Sequence, residues 1–270
     1  MTTGTVDAEA IAAAPNLKII ARAGVGLDNV DIPAATAAKV LVVNAPTSNI
    51  VSAAELAVSL LLAVARNVVP ANLALKDGKW KRSQFGGVAL QDKTVGIIGM
   101  GKIGMLVATR LAGFDMKFVA YDPYVTVAPT DGPKIEMVSL DQLLAVSDFV
   151  TIHIPKTAET TGLINAAALK KMKPTAFVIN AARGGVLDET ALYQALGAGE
   201  LAGAGLDVRA QEPPKDKRFT DLDNVILAPH VAGITQESQA AINRVLVSEI
   251  RAALSGQGQS YAVGAIKQAK

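Results

Sequence analysis

"TVGIIGMGKIGMLVATRLAGFDMKFVAYDP", residues 94–123, contains an apolar run, a glycine-rich turn, a helical pattern and a second apolar run in succession. Gly99, Gly101 and Gly104 form the pattern G-x-G-x-x-G where the first run ends and the helical pattern begins. In such a turn the first glycine allows a sharp bend and the second lets a pyrophosphate approach the backbone, while the third lets helix and strand pack closely. Free N–H groups at the helix N-terminus then bind the phosphates. This stretch therefore predicts a dinucleotide-binding turn.

An acidic residue, Asp122, ends the second apolar run of this stretch. A carboxylate at this position accepts a hydrogen bond from a ribose 2′-hydroxyl and repels a 2′-phosphate, so the sequence favours NAD over NADP. A lone glycine pattern is weak evidence, and the alternative is an ordinary glycine turn followed by a surface acid. The strand, helix, second strand and terminal acid together favour NAD binding.

Short aliphatic runs alternate with Ala- and Leu-rich helical stretches along almost the whole chain. Continuous apolar strands separated by helices indicate a parallel sheet that is covered on both faces. The expected fold class is therefore α/β, with a doubly wound parallel sheet. The runs are LKIIARA, VLVVNAP, TVGIIGMG, KFVAYDP, DFVTIHIP, AFVINAA, AGLDV and NVILAPH.

The composition is that of a globular protein with a sizeable core, since 50% of the 270 residues are hydrophobic and 19% are charged. At about 150 residues per domain, this length suggests one large or two modest domains. The formal charge of +2 is too balanced for a nucleic-acid-binding surface, which needs clustered basic residues. The absence of cysteine excludes disulfides, thiolate metal sites and a cysteine nucleophile, and it fits a reducing cytoplasm. We expect a cytoplasmic protein with no nucleic-acid partner.

No segment has the pattern of a secretion signal or a membrane span. The start, MTTGTVDAEA, lacks the basic and then apolar layout of a secretion signal. The most apolar run, residues 56–65, is far shorter than the roughly 20 residues that cross a bilayer. We interpret it as part of a buried helix in a soluble protein with no membrane partner.

A long helix is expected over residues 52–77, where Ser52 and Glu55 have the spacing of a capping box. It joins an early βα region to a larger later one, which predicts two lobes. The smaller lobe comprises residues 1–49 and 236–270, and the larger one residues 50–235.

Four polar side chains follow the later predicted strands. Arg183 comes after AFVINAA, Asp207 and then Glu212 come with AGLDV and after it, and His230 ends NVILAPH. Ligands of open α/β sheets bind outside the carboxyl ends of the strands. If these strands are neighbours, a guanidinium, a carboxylate and an imidazole converge near the nicotinamide.

This set suits the oxidation of a hydroxy acid. An arginine fork binds a carboxylate bidentately, so Arg183 points to an α-hydroxy or α-keto acid as substrate. His230 can take the hydroxyl proton as hydride leaves, or return it in the reduction. A neighbouring carboxylate orients the ring and raises its pKa. The chemistry requires no metal.

Each residue also has an ordinary structural interpretation when it is taken singly. Arg183 could cap a helix or lie on the surface, Glu212 could be a turn acid before two prolines, and His230 could be a structural histidine. Their order behind a dinucleotide turn favours the catalytic interpretation. The other histidine, His153, also ends a strand; with no partner in view, we interpret it as structural, the alternative being a place in the cofactor pocket.

Ordered motifs extend from about residue 5 to about residue 248. They are ARAGVGLDNVD, VVNAPTSNIVSAAELA, WKRSQF, KTVGIIGMGKIG, AYDPY, HIPKTAETTGLI, NAARGGVLDE, GAGLDV with EPP, and PHVAG. Through these motifs the chain resembles the D-isomer-specific 2-hydroxyacid dehydrogenases, most closely their D-3-phosphoglycerate dehydrogenase branch. The resemblance implies a Rossmann-type NAD-binding domain with a second, truncated, flavodoxin-like substrate lobe.

The resemblance also implies residue roles, with Arg183 as substrate anchor, Glu212 as the acid paired with histidine, and His230 as general acid and base. The substrate-binding positions it implies are Arg22, Ala23, Gly24, Val25, Gly26 and Arg183. The implied NAD contacts are Val25, Gly99, Gly101, Lys102, Ile103, Gly104, Asp122, Ile154, Ala181, Ala182, Arg183, Asp207, His230, Val231, Ala232 and Gly233.

The activity implied is the NAD-dependent interconversion of a D-2-hydroxy acid and its 2-keto acid by a homodimer. The best match is 3-phosphoglycerate to 3-phosphohydroxypyruvate, a step of serine biosynthesis. One alternative is a glyoxylate or hydroxypyruvate reductase, and another is an NAD-binding protein without turnover.

Several positions depart from the family pattern. Relatives begin with a βαβ segment that precedes anything seen here, so the substrate lobe is expected to be a remnant with an uncovered sheet edge. Met1 falls where a phosphate-contacting arginine would lie. Arg209 replaces the aromatic residue that usually follows "DV", and VAGIT replaces a Gly-Ala-Ser-Thr turn. About forty residues follow His230, without the regulatory domains of some relatives.

Overall fold

The computed structural model describes residues 4–264. Met1, discussed above, lies outside the described residues, and so do the remaining ends of the expected smaller lobe, residues 2–3 and 265–270. The chain divides into two compact units, one from Met1–Ser52 and Gly233–Lys270 and the other from Ala53–Ala232. The assignment of the smaller unit to substrate binding stays a prediction.

Strands and helices follow one another along the described part of the chain. The strands are β1 (Ile19–Ala21), β2 (Leu41–Val43), β3 (Thr94–Ile98), β4 (Lys117–Tyr121), β5 (Ile135–Met137), β6 (Phe149–Ile152), β7 (Phe177–Asn180), β8 (Gly203–Leu206), β9 (Val225–Leu227) and β10 (Ala262–Val263). The α-helices are α1 (Ala8–Ala12), α2 (Ile32–Ala37), α3 (Ile50–Ala65), α4 (Val68–Lys76), α5 (Lys102–Leu111), α6 (Leu140–Val146), α7 (Ala166–Leu169), α8 (Glu189–Gly197) and α9 (Gln236–Leu254).

The larger unit contains a seven-stranded sheet in the order β5-β4-β3-β6-β7-β8-β9, and each neighbouring pair is parallel. The chain runs outward from β3 to β4 and β5, and then outward on the other side from β6 to β9. The order therefore reverses between β3 and β6, which is where doubly wound sheets bind their ligands. The predicted fold class is confirmed, although β5 was not among the predicted strands.

Helices cover both faces of this sheet, because side chains along each strand alternate between the faces. Val95 and Ile97 of β3 pack in one buried cluster with α3 and α5, whereas Ile98 packs in a second cluster with α6, α7 and α8. Phe149 and Phe177 stack on neighbouring strands, with ring centroids 5.2 Å apart. The two buried faces explain why the strands read as continuous apolar runs.

The single helix expected over residues 52–77 is wrong, since α3 ends before Asn67 and α4 begins after it, with a bend of 65°. Asn67 has a left-handed φ of 51°. Pro70 gives the physical reason, because in a continuous helix it would lack a donor for Arg66 and its ring would clash with that carbonyl. Among the described residues no single helix is long and apolar enough to cross a membrane, although α3 and α4 pass that test as a bent pair.

The expected capping box is also wrong. The helix begins at Ile50, so Ser52 lies inside its first turn, where its hydroxyl pairs with the Thr235 hydroxyl at 2.9 Å. Glu55 instead forms an ion pair with Arg110, at 3.0 Å.

The smaller unit contains a three-stranded sheet in which β2 pairs in parallel with β1 and antiparallel with β10. Leu41 and Val43 of β2 pack against α9, while Val42 packs on the opposite side with residues of α1 and α2. In the described part of the chain β1 pairs only with β2, which leaves one edge of β1 without a neighbouring strand.

Candidate active site

The glycine turn between β3 and α5 has the shape that its sequence predicts. Gly99 has a φ of +101°, which glycine adopts without a steric penalty. A Cβ on Gly104 would lie 2.1 Å from the Gly99 carbonyl oxygen, whereas nothing lies within 4 Å of a Cβ on Gly101. The helix then begins at Lys102 without a side-chain cap. This open space beside the first-turn N–H groups fits the pyrophosphate of a dinucleotide.

Asp122 lies beside this turn because β4 is the neighbour of β3. Its Oδ2 accepts a hydrogen bond from the Met100 N–H at 2.9 Å, and its Oδ1 accepts from the Tyr124 and Val125 N–H groups at 2.8 and 3.2 Å. These bonds fix the carboxylate at the end of β4. A carboxylate offers about four lone-pair sites, so Asp122 keeps capacity for a ribose hydroxyl. That contact itself stays a prediction.

Arg183 leaves the end of β7 on a turn that Asn180 holds. The Asn180 side chain is buried; its Oδ1 accepts from the Ala182 N–H at 3.1 Å and its Nδ2 donates to the Arg183 carbonyl at 3.0 Å. The Arg183 guanidinium donates to the Ala182 carbonyl at 2.7 Å. Asn180 was not among the predicted site residues, although an amide that closes an apolar strand is a signal that could have identified it.

Glu212 and His230 lie in direct contact. The Oε2 atom of Glu212 is 2.6 Å from Nδ1 of His230, and its Oε1 accepts from the Arg209 N–H at 2.9 Å. His230 has a φ of 56°, and its own N–H donates to the Asp207 carbonyl at 2.7 Å. Non-glycine residues rarely adopt this conformation, and such residues cluster at functional sites.

Charge on the pair is set by its partners. The hydrogen bond with Glu212 raises the pKa of His230 above its usual value, and burial opposes this rise. Burial raises the pKa of Glu212, but hydrogen bonds from His230 and from the Arg209 backbone outweigh it, so that pKa lies below its usual value. The Arg183 guanidinium is near enough to lower both pKa values. The pair therefore favours a carboxylate beside an imidazolium.

Asp207 shapes the turn that carries His230. Its side chain is only 1% exposed, and its two carboxylate oxygens accept from the N–H groups of Val231 and Ala232, both at 2.8 Å. Its backbone carbonyl accepts from His230. The structure thus gives Asp207 a role in holding this turn, and its cofactor contact stays a prediction.

The second histidine has a different environment. Burial lowers the pKa of His153 to about 4, so its ring is neutral at pH 7, and Nε2 lies 2.9 Å from the Thr151 hydroxyl. Its carbonyl and the side chain of Ile154 both lie against Gly99. This arrangement favours the structural interpretation of His153.

The other predicted residues divide between the two units. Lys102 and Ile103 open α5, and Ala181 and Ala182 follow β7, all in the larger unit. Because its strands are parallel, the glycine turn, Asp122, Arg183, Asp207 and His230 all follow strand ends at one edge of the sheet. Arg183, Glu212 and His230 lie near one another at this edge, and their catalytic roles stay predictions.

The predicted substrate loop, residues 22–26, and Gly233 lie in the smaller unit. The Gly24 N–H donates to the Arg22 carbonyl at 2.9 Å, so this amide already has a partner within the loop. The Asn44 side-chain amide donates a hydrogen bond to the Val25 carbonyl at 2.7 Å and so supports the loop. The contacts predicted for Arg22, Ala23, Gly24, Val25, Gly26 and Gly233 stay predictions.

Residues 58–232 match the model of a family described as "D-isomer specific 2-hydroxyacid dehydrogenase, NAD binding domain". The chain belongs to this family. The matched range contains the glycine turn and all seven strands of the larger sheet, β3 to β9. The larger unit is therefore an NAD-binding domain, and NAD is the cofactor that it fits.

Curated relatives agree with this assignment. The chain is 53% identical over 253 residues to D-3-phosphoglycerate dehydrogenase of Mycobacterium tuberculosis, which is 94% of this chain and 48% of the relative. It is 48% identical over 246 residues to the protein of the same name from Archaeoglobus fulgidus, which is 91% of this chain and 47% of the relative. The chain spans about half the length of these curated relatives.

Solved structures with the same fold carry several activities in their names. An NAD-dependent formate dehydrogenase from Staphylococcus aureus, in complex with NAD, has a TM-score of 0.89 and 36% identity, covering 97% of this chain and 80% of that one. An NADPH-dependent glyoxylate/hydroxypyruvate reductase from Sinorhizobium meliloti has a TM-score of 0.86 and 32% identity, and the match covers 96% of this chain and 82% of that one.

Proposed function

We propose that this chain belongs to an NAD-dependent oxidoreductase that interconverts a D-2-hydroxy acid and the corresponding 2-keto acid. The observation that carries the proposal is the 2.6 Å contact between Nδ1 of His230 and Oε2 of Glu212, in the same unit as the glycine turn. An acid–imidazole pair at the carboxyl ends of a dinucleotide-binding sheet is suited to move a proton while a hydride moves.

His230 acts as the general acid and base in this proposal. Because Glu212 engages Nδ1, Nε2 is the ring nitrogen that faces the substrate hydroxyl. In the oxidation, neutral Nε2 takes the hydroxyl proton; in the reduction, protonated Nε2 returns it. The raised pKa of His230 keeps this proton available near neutral pH.

Arg183 binds the carboxylate of the substrate, because a planar guanidinium matches a carboxylate with two parallel hydrogen bonds. Asn180 fixes the turn that carries Arg183, and the Ala182 carbonyl accepts a hydrogen bond from the guanidinium, so both support the cation before substrate binds. NAD, when bound, accepts or returns the hydride.

The substrate that we favour is 3-phosphoglycerate, oxidised to 3-phosphohydroxypyruvate, which would assign the protein to serine biosynthesis in the cytoplasm. Support comes from the relatives named D-3-phosphoglycerate dehydrogenase, which share up to 53% identity with this chain. A glyoxylate or hydroxypyruvate reductase is the second candidate, favoured by the structural likeness to the Sinorhizobium meliloti enzyme.

The test is the change in NADH absorbance with purified protein. Oxidation is assayed with NAD and 3-phosphoglycerate, D-lactate or D-glycerate, and reduction with NADH and hydroxypyruvate or glyoxylate. Activity that requires the phosphate supports the first candidate, and activity on the unphosphorylated keto acids supports the second. Silence on all five, with NAD binding demonstrated by calorimetry, would leave an NAD-binding protein without turnover and end the enzymatic proposal.

His230→Ala should lower kcat by about 100-fold or more, the usual contribution of a general acid or base, while the dissociation constant of NAD stays close to that of the wild type. The matched control is Asp141→Asn, which breaks an exposed ion pair with Lys171 in the same unit and should keep full activity. A large loss of NAD affinity in His230→Ala would show that the histidine serves cofactor binding instead.

A homodimer is the assembly that we propose. Helix α4 has no buried residue, and its apolar side chains Val68, Leu73 and Leu75 are exposed, as is the following Trp80 at 76%. An apolar patch of this kind marks an interaction surface more often than a free one. A second copy of this chain is the occupant that the family resemblance suggests.

A further inference from the structure

Arg209, a departure from the family pattern, carries a charge that is almost wholly buried. Its side chain is 9% exposed, and its Nε donates to Oε2 of Glu189 at 3.0 Å. Its Nη2 lies 3.3 Å from an Asp216 oxygen, and the guanidinium lies 5.0 Å from the centroid of the Phe219 ring. A buried guanidinium is tolerated only with such partners, so the position of Arg209 is strongly determined.

The same carboxylate also holds the backbone. Oε1 of Glu189 accepts a hydrogen bond from the Ala210 N–H, while Oε2 accepts from the Arg209 side chain. The Glu189 side chain is itself only 12% exposed. Glu189 is the first residue of α8, so a helix terminus fastens the segment that follows β8.

This segment is what positions the acid of the acid–imidazole pair. The Arg209 N–H donates to Oε1 of Glu212 at 2.9 Å, and this leaves Oε2 to meet His230 at 2.6 Å. The Arg183 loop touches the same peptide, because a Cβ on Gly184 would lie 1.8 Å from the Arg209 carbonyl oxygen. A shift of the Arg209 backbone would therefore move Glu212 and press on the Arg183 loop.

We propose that Glu189 and Arg209 form a positioning pair that fixes the Glu212 carboxylate against His230. The pair touches no reacting atom, and it acts through the backbone of residue 209. Its catalytic meaning rests on the proposed function, but its effect on His230 does not.

An NMR titration of the cofactor-free 270-residue chain measures that effect directly. The chain has only two histidines, so the ring carbons of His230 and His153 give separate signals. The charged groups around His230 are Glu212 and Asp207, which raise its pKa, and Arg183, which lowers it. The variant Glu212→Gln removes the charge of the main partner and gives the reference value for a lowered pKa of His230.

Arg209→Met decides between positioning and simple electrostatics, because the two predict opposite signs. Removing a nearby cation favours the imidazolium and would raise the pKa of His230 by Coulomb's law alone. Loosening Glu212 removes a hydrogen bond to the imidazolium and lowers that pKa. We expect the pKa to fall toward the value in Glu212→Gln, and a rise or no change would overturn the proposal.

Glu189→Gln should lower the pKa of His230 as well, and the double variant should match either single variant because both break one linkage. If Glu189 and Arg209 acted only as independent charges, their opposite effects on the pKa of His230 would cancel in the double variant. A wild-type pKa of His230 in the double variant would therefore contradict the proposal. The matched control, Glu55→Gln, breaks the ion pair with Arg110 in the same unit and should leave the pKa of His230 unchanged.

Burial lowers the pKa of His153, so a His153 signal that titrates as in the wild type serves as an internal check that each variant is folded. If Arg209→Met does not fold, Arg209→Lys keeps the charge and loses the planar fork. Positioning then predicts a lower pKa of His230, whereas electrostatics alone predicts no change.

If the chain is active, Glu189→Gln should lower kcat by about tenfold or more, the sensitivity expected of a misplaced catalytic group. Absence of turnover in the wild type would defeat the proposed function and leave the titration result standing.

Discussion

At the scale of single residues, the two histidines show how surroundings set the charge of one kind of side chain. His230 lies against the Glu212 carboxylate, which raises its pKa, whereas burial lowers the pKa of His153 to about 4. His230 is therefore suited to proton transfer near neutral pH, and His153 is neutral in the folded protein. The sequence favoured different roles for the two histidines, but the contacts that set their pKa values could not be read from it, because both follow an apolar run.

His153 makes stability depend on pH. Its pKa falls from 6.5 in the unfolded chain to about 4 in the folded one, so the unfolded state binds the proton first as the pH drops. Above pH 6.5 the ring of His153 is neutral in both states, and the free energy of unfolding is unaffected by its titration. Between pH 6.5 and about pH 4 the free energy of unfolding falls progressively, by up to about 3 kcal/mol. His153→Gln keeps a partner for Thr151 and should remove this loss. Urea unfolding of both proteins at several pH values checks it; a difference in stability that stays constant between pH 4 and 7 would contradict it.

At the scale of elements, adding a methyl group to the glycine turn should affect stability at one position and NAD affinity at another. Gly104→Ala should cost about 1–3 kcal/mol of stability, since its Cβ would meet the Gly99 carbonyl at 2.1 Å. Gly101→Ala should leave stability nearly unchanged, because its φ of −72° suits alanine and the space is open.

The same Gly101→Ala methyl group occupies the space that fits the pyrophosphate, so we expect NAD affinity to fall by about tenfold or more, roughly 1.4 kcal/mol. Thermal unfolding and calorimetry with NAD measure the two quantities. Gly113→Ala, which also meets open space, is the control and should change neither. Normal NAD affinity in Gly101→Ala would mean that the phosphates do not bind at this turn.

Local pattern predicted the elements that carry the site, because buried parallel strands read as apolar runs and polar residues at their ends stand out. It failed where the chain path depends on distant partners. The two-residue strand β10 exists only by pairing with β2. The break at Asn67 is a different kind of failure, because Pro70 is a local signal within a run that otherwise reads as helical. The Glu189–Arg209 pair was missed because it joins two segments that are distant in sequence. The Asn180 side chain instead bonds to the turn that directly follows it, and it was a local signal that could have been used.

At the scale of the whole molecule, the exposed face of α4 is the feature that the fold of the larger unit leaves unexplained. The other helices of the seven-stranded sheet bury part of their apolar side chains, whereas α4 buries none. Obligate dimer interfaces resemble a core divided between two chains. The proposed dimer would cover the apolar side chains of α4 with a second copy of the chain.

A dimer predicts that light scattering coupled to gel filtration gives twice the 27.9 kDa mass of one chain. Leu73→Lys introduces a charge on α4 where the leucine is 60% exposed, so folding should be unaffected while a buried, unpaired charge at the interface weakens association by several kcal/mol. Val127→Lys is the matched control, because Val127 is an exposed apolar residue (77%) outside α4. We expect a monomer for Leu73→Lys and a dimer for Val127→Lys. A monomeric wild type, or a Leu73→Lys variant that stays dimeric, would show that α4 is not the dimer contact.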